Sequence, residues 1–295
     1  MKYRGGIRLV ATQDTRPFIN DFSIPGVDDT GNYGVIVAEG DSMGDRSTTS
    51  FRRRFAFSKI SSRWFKVSLE YLQGTRIPAF GAWVMNACAD RVGASVNSLA
   101  TAYPGFGAAA RGIGTPNGAA ANVGDVANTK IIGISAAAGV TSTTANTAAP
   151  TKVDIDNWWD SLDPAYETGL DAMMMLNKAS ITRLRGIQSN GLYVYNFMRN
   201  SNLTGTQVGT PNASRYMNDT PYVLNNEVAS AVTTGQIVGL YGRLSEYHIY
   251  DVPAIGIQSF FDSNTADTGE VWFLTASYHA MNLRDTNAVS RLVTK

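Results

Sequence analysis

One long amphipathic stretch constrains this chain more than any other feature. Between about Thr75 and Thr101, the residues Phe80, Trp83, Val84, Ala87, Cys88, Val92, Val96 and Leu99 recur at the i, i+3, i+4 spacing of one helix face. Pro78 falls in the first turn, where a missing N–H does no harm. Gly81 and Gly93 weaken the helix slightly. At 3.6 residues per turn the pattern predicts roughly six or seven turns. Cys88 lies on the apolar face and reads as core.

The segments before this helix are of another kind. Residues 1–33 are polar, with Pro17, Pro25, Gly26 and Gly31 and no sustained periodicity. They read as an extended arm lying on other structure, or as a frayed terminus. Tyr33–Ala38 (YGVIVA) reads as a short strand, and Gly40–Thr49 (GDSMGDRSTT) as turn and loop. Phe55 and Phe57 then alternate with Arg54, Ala56 and Ser58, which is strand-like. Together these predict a long two-stranded excursion with too little apolar content to be a core hairpin. An isolated ribbon is marginally stable, so a neighbouring chain supports it or it is flexible.

Residues 102–150 are rich in Ala, Gly, Thr, Ser and Asn and read as a connector, with one short apolar run, Ile131–Ile134, as a strand candidate. Asp154 is placed to N-cap a helix carrying Ile155, Trp158, Trp159 and Leu162, which Pro164 would end. Leu170–Leu176 reads as a buried strand, with Met173, Met174 and Met175 as packing residues. Asn177 is placed to cap a helix with Ile181, Leu184 and Ile187, and Asn190-Gly191 to stop it. LYVYNF follows as a strand, residues 199–219 as polar loop, then PYVLNNEVA, QIVGLYG, EYHIYDV, IGIQSFF and VWFLTASYHAMNLR as strands in series. Arm, ribbon, long helix, mixed block and closing strands make an α+β order rather than a βαβ alternation.

Composition narrows the function classes. Lys plus Arg is 25 against 24 Asp plus Glu, a net charge of +1. A protein built to grip phosphates carries a marked basic excess. With one cysteine, Cys88, no internal disulfide forms. No run approaches the roughly 18 apolar residues of a transmembrane helix, and the first residues lack a signal peptide's apolar core.

The search for chemistry yields little. GDSMG (Gly40–Gly44) matches G-x-S-x-G after a strand, which makes Ser42 a nucleophile candidate. A nucleophile elbow needs a helix after the serine, and DRSTTSFRRR is a poor one. Only His248 and His279 are available as a base. Asp154, Asp156, Asp160 and Asp163 lack the calcium-loop pattern, and two histidines with one cysteine do not make a typical zinc site. The glycines of GFGAAARGIGTPNG do not sit between a strand and a helix as dinucleotide binding requires. No cofactor is implied. Arg52, Arg53, Arg54, Lys59, Arg63 and Lys66, interleaved with Phe and Trp, fit pairing with an adjacent subunit, a solvated strand face, or nucleic acid.

Several strings, in order, resemble the major capsid proteins of tailed bacteriophages, the Hong Kong 97 type fold. FAFSKISSRWFKVSLEYLQG resembles the returning strand of that family's E-loop and its entry to the spine helix. IPAFGAWVMNACADRVGASVNSLATAY resembles the spine helix. VDIDNWWDSLDPAYETGLDAMMMLNKASITRLRGIQSNGLYVY resembles the A-domain pattern, TPYVLNNEVA a segment that usually reads G-x-P-V, and QIVGLYGRLSEYHIYDV the strand–Gly–strand ending in Tyr-x-I. The segment ending in MNLRDTNAVSRLVTK resembles the closing P-domain strand.

The resemblance implies an N-terminal arm over 1–33, an E-loop over 34–66, a P-domain over 67–150 and 253–295 with its spine helix at about 75–101, and an A-domain over 151–252. It implies a non-enzymatic shell protein assembling into hexamers and pentamers around double-stranded DNA held without sequence-specific contact. Portal, scaffold or protease, and a decoration protein are the implied partners. Assembly in the host cytoplasm, with no membrane role, is the implied setting. Subunit contacts would fall on the ribbon residues Arg52, Arg53, Arg54, Phe55, Phe57 and Lys59.

Family members often carry a cleaved scaffolding segment, whereas this chain begins at Met1 in arm-like sequence. That implies a separate scaffold or a processed product. Some members form Lys–Asn crosslinks from the E-loop; arginines occupy that stretch here, and Lys59 sits near the ribbon's base, so no such crosslink is expected. An encapsulin-like nanocompartment shell, a serine hydrolase using Ser42, and a glycan-binding virion module are the alternatives.

Overall fold

The computed structural model describes residues 6–28, 49–74, 80–102, 131–145, 150–167, 172–189, 192–195, 197–199, 215–218, 220–230, 235–261 and 268–295. A 3-10 turn at Gly6–Leu9 leads to β1 (Thr12–Thr15) and β2 (Phe22–Asp28). Next come β3 (Thr49–Phe55), β4 (Ser58–Ser61), β5 (Phe65–Ser68), α1 (Leu69–Gly74) and α2 (Phe80–Ala102). The middle holds α3 (Ile134–Ala137), β6 (Val140–Thr143), α4 (Lys152–Asp160), α5 (Pro164–Glu167), β7 (Ala172–Leu176) and α6 (Lys178–Arg185). Short strands β8 (Gln188–Ser189), β9 (Leu192–Tyr193), β10 (Phe197–Arg199) and β11 (Arg215–Met217) precede β12 (Thr220–Leu224) and β13 (Ile237–Arg243). The chain closes with β14 (Tyr247–Phe260), β15 (Glu270–Leu283) and β16 (Val289–Val293).

Two sheets carry the fold. One runs β1-β14-β15-β4, with β5 also on β15. The other runs β10-β11-β12-β7-β13-β16-β6 and is mixed: β12 is parallel to β7 and β6 to β16, while β13 is antiparallel to both β7 and β16. Among the described residues β2 and β3 pair only with each other.

Burial follows periodicity. Val84, Cys88, Val96 and Leu99 of α2 are buried, as its sequence face predicts, while Trp83 near its start is exposed. Alternation on β7 sends Met173 and Met175 into the core that holds Val96 and Leu99. It sends Met174 and Leu176 into the core under α4 and α6, with Trp158, Ile155, Ile181 and Leu184. A strand buried on both faces has to be apolar at every position, which explains the methionine run.

Several local expectations are corrected. Asp154 is not the N-cap of α4. Thr151 is, with its backbone extended, and Asp154 returns the bond from the third helical position in a capping box. The helix stops at Asp160; Pro164 instead opens α5, where a missing N–H is harmless. α6 ends at Arg185 with Gly186 as C-cap, short of Asn190-Gly191. Ile131–Ile134 forms no strand; Ile131 and Ile134 are both buried and Ile134 begins α3. EYHIYDV and IGIQSFF are one strand, β14, because register shifts at Val252/Ile255 and Ile255/Gln258 absorb the Pro and Gly between them. Part of the polar loop at 199–219 is strand β11.

Candidate functional site

The ribbon is where the sequence concentrates its candidate contact residues. Its returning strand, β3, pairs with Phe22–Asp28, from Phe22 opposite Phe55 to Asp28 opposite Thr49. The partner strand therefore lies in the stretch read as arm. Tyr33–Ala38 and Ser42, with the rest of GDSMG, lie outside the described residues. Backbone register sets Arg52 opposite Pro25, Arg53 opposite Ile24 and Arg54 opposite Ser23; the side chains of Arg52, Arg53 and Arg54 lie outside the described part.

Phe55 and Phe57 differ from the expectation of a ribbon too poor in apolar residues to be buried. Both are buried within the chain, with Tyr250, Val252 and Ala280. Phe22 stacks on Phe55 at 5.3 Å and meets Tyr250 edge-on at 4.8 Å, and Arg16 caps the Phe22 ring at 4.7 Å. These rings anchor the ribbon's base to β14. Lys59 is exposed on β4, in register with Tyr278.

A polar chain missed in the sequence lies across β14 and β15. Asp251 and His279 are a register pair, and Asp251 Oδ1 is 2.6 Å from His279 Nδ1. A carboxylate only accepts, so Nδ1 carries a hydrogen, and Nε2 and the Ser277 hydroxyl are hydrogen-bonded at 2.5 Å. Arg8 donates to both Asp251 oxygens, at 2.8 and 2.9 Å. Burial works to raise the Asp251 carboxyl. The bonds from His279 and Arg8, with their charges, outweigh it and hold the group below its ordinary value. Alternation of Ser277 and His279 on one strand was the available signal; their acidic partner sits 28 residues earlier.

The order Ser–His–Asp is that of a hydrolase triad. Here Ser277 and His279 are both buried between strands, and the serine sits in a strand rather than on a strand-to-helix turn. The arrangement ties the 3-10 turn to β14 and β15. His248, the other base candidate, lies beside the Tyr250 ring at 6.0 Å.

A second polar junction fixes the N-terminal turn to α2. Asn97 accepts from the Ile7 N–H at 3.0 Å and donates to Asn225 at 3.0 Å; Asn225 in turn donates to Thr101 at 2.7 Å.

The acidic residues at 154–163 do not converge. Asp154 accepts from the Thr151 and Ala145 amides, Asp156 pairs with Lys152, and Asp163 accepts from the Ala165 amide. Among the described residues no cluster of three His, Cys, Asp or Glu could hold a metal, and no helix is long and apolar enough to cross a membrane. The cleft between α4 and α6, lined by Ile155, Trp158, Arg183 and Leu184, has about 20 Å³ of room, about what one water needs.

No curated protein matches this chain. Solved structures do match, at the level of fold. The capsid of a native GTA particle superposes with a TM-score of 0.69 at 12% identity, over 98% of this chain and 89% of that one. A structure from Gordonia phage Cozz gives 0.60 at 14% identity, over 98% and 86%. One from Mycobacterium phage Cain gives 0.59 at 11% identity, over 99% and 91%. The model of the phage capsid family matches residues 1–294. A family model spanning nearly every residue, on a mixed α+β fold shared with capsid structures, shows that the chain belongs to the phage capsid family and is a structural major capsid protein.

Proposed function

We propose that many copies form hexameric and pentameric rings that close into a shell around double-stranded DNA, with ribbon and arm overlapping neighbouring subunits. One observation carries the reading: among the described residues β2 and β3 pair only with each other, and their base is anchored through Phe22 and Phe55 on Tyr250. A two-stranded sheet by itself is marginal in water, and a neighbouring copy supplies the missing cover. With Phe55 and Phe57 committed to the chain's own core, contact falls to Arg52, Arg53, Arg54 and Lys59. In this reading residues 151–252 form the A-domain around each ring's centre, and α2 with the closing strands forms the P-domain. Many modest contacts give avidity without any very tight one, and near-zero net charge limits repulsion between copies. Scaffold, protease, portal and decoration proteins are further partners in this reading, and assembly takes place in the host cytoplasm.

The test is deletion of residues 40–49 in the full chain, read by negative-stain microscopy and circular dichroism. The expected result is a folded subunit that fails to close shells. Normal shells of normal stability would count against the overlap.

A further inference from the structure

We propose that His248 makes the docking of the ribbon on β14 proton-sensitive: the neutral imidazole lets β2 and β3 close on the strand, and the imidazolium opens that contact. The proposal concerns the single chain and does not depend on the shell reading. The chain has two histidines, His248 and His279. His279 is buried opposite Asp251 and bonds to its carboxylate. His248 stands three residues before Asp251 on the same strand, so alternation sends it to the other face. Among the described residues the ion pair made by a histidine is His279–Asp251, and no carboxylate pairs with His248.

The neighbours of His248 are the rings that root the ribbon. Its imidazole lies nearly parallel to the Tyr250 ring at 6.0 Å, with Nδ1 3.5 Å from the Tyr250 hydroxyl. It meets Phe55 of β3 edge-on at 6.4 Å. Phe55 in turn meets Tyr250 at 5.0 Å and stacks on Phe22 of β2 at 5.3 Å. Closing the ribbon therefore sets an apolar ring against a half-buried imidazole. Arg16 already lies over this cluster, 4.7 Å from the Phe22 ring centre and 5.3 Å from that of Tyr250. An imidazolium would add a second positive charge to the same few rings.

The charged groups around His248 come from each element packed on it. Asp14 lies on β1 and Arg16 just beyond it, Glu246 ends the 3-10 turn Leu244–Glu246, and Arg284 follows β15. Burial is the largest influence on the imidazole and disfavours its charged form. Glu246 and Asp14 attract the proton and Arg284 repels it, and the balance holds the group below its ordinary value. Releasing the ribbon lets water back to the ring, which then titrates nearer the ordinary value of about 6.5. The released state thus takes up the proton more readily. Docking is complete above about pH 6.5 and weakens as pH falls from there toward the lower value of the docked ring.

Amide hydrogen exchange on the full chain tests this, with each rate divided by the intrinsic rate at the same pH. Between about pH 8 and about pH 5, protection in β2 and β3 is expected to fall at least about threefold, while β7, β13 and β16 keep theirs. His248→Gln, which cannot gain the charge, is expected to hold ribbon protection constant over that range. Nuclear magnetic resonance of the imidazole protons, assigned with His279→Gln, is expected to show His248 titrating below an ordinary histidine, with ribbon opening tracking it. Ribbon protection that does not change with pH overturns the proposal. So does an undiminished fall in His248→Gln, a His248 ring that titrates at or above the ordinary value, or a loss of protection in both sheets together. If His248→Gln does not fold, the natural chain decides: opening that follows the His248 titration supports the proposal, and opening that departs from it overturns it.

Discussion

Asp251 accepts a hydrogen bond from His279 at 2.6 Å across the register pair that joins the two longest strands. Arg8, from the N-terminal turn, closes on the same carboxylate. The arm's root is therefore held by the Arg8–Asp251 ion pair, on a carboxylate that also bonds across to β15, not by apolar contact alone. Because the folded carboxyl is held below its ordinary value, its stabilisation is present above the unfolded value of about 3.9. It is lost as pH falls through the lower folded value.

Asp251→Asn is expected to lower stability at neutral pH by about 1.5–3 kcal/mol, the range for hydrogen bonds to a charged group. It should also flatten the acid-unfolding curve below about pH 4, where the natural carboxylate is protonated. Urea unfolding across pH reads both. Unchanged neutral-pH stability would remove the charged pair from the fold's support.

Ser277 is expected not to react with a fluorophosphonate probe, despite its bond to His279. The hydroxyl is buried and lies in a strand. Ser277→Ala should lower stability by about 1 kcal/mol, the net worth of one hydrogen bond. Labelling that disappears in Ser277→Ala would show a reactive serine.

Phe55→Ala is expected to loosen the ribbon from β14. Removing a buried phenylalanine costs about 3–5 kcal/mol. Amides of β2 and β3 should exchange faster, while β7, β13 and β16, in the other sheet, keep their protection. Uniform loss of protection would show that the ribbon's base is part of the global core.

Gly6→Ala is expected to release the N-terminal turn. Gly6 has φ +83°, and an added Cβ would fall 2.1 Å from Asn97 Oδ1, the atom that accepts the Ile7 N–H. Such backbone strain costs about 1–3 kcal/mol. Limited proteolysis should then cut ahead of β1 sooner than in the natural chain. An unchanged cleavage pattern would show that the turn does not depend on Asn97.

Periodicity within one segment was legible. The spacing of Val84, Cys88, Val96 and Leu99 marks the buried face of α2, and the run Met173–Leu176 marks a strand covered on both sides. Both are properties of neighbouring residues, which the 3.6 and 2.0 residue repeats expose directly. Asn177 capping α6 is local in the same way. Thr151 was legible in principle, since a capping box spans four residues, but Asp154 fits an N-cap equally well until the backbone is known.

The candidate site was mostly not legible. That Phe55 faces inward depends on Tyr250, and that β3 pairs with Phe22–Asp28 depends on a register no local pattern records. Ser277 and His279 share a strand face, but the acid that completes their chain, and the Arg8 that holds it, come from distant sequence. Strand pairing brings together residues that are far apart along the chain, and one step of register exchanges which side chains face the core. Local spacing thus determined which stretches became α2 and β7 and which sides of them are apolar. Only the tertiary pairing decided that the ribbon is rooted on β14 and that Asp251 meets His279.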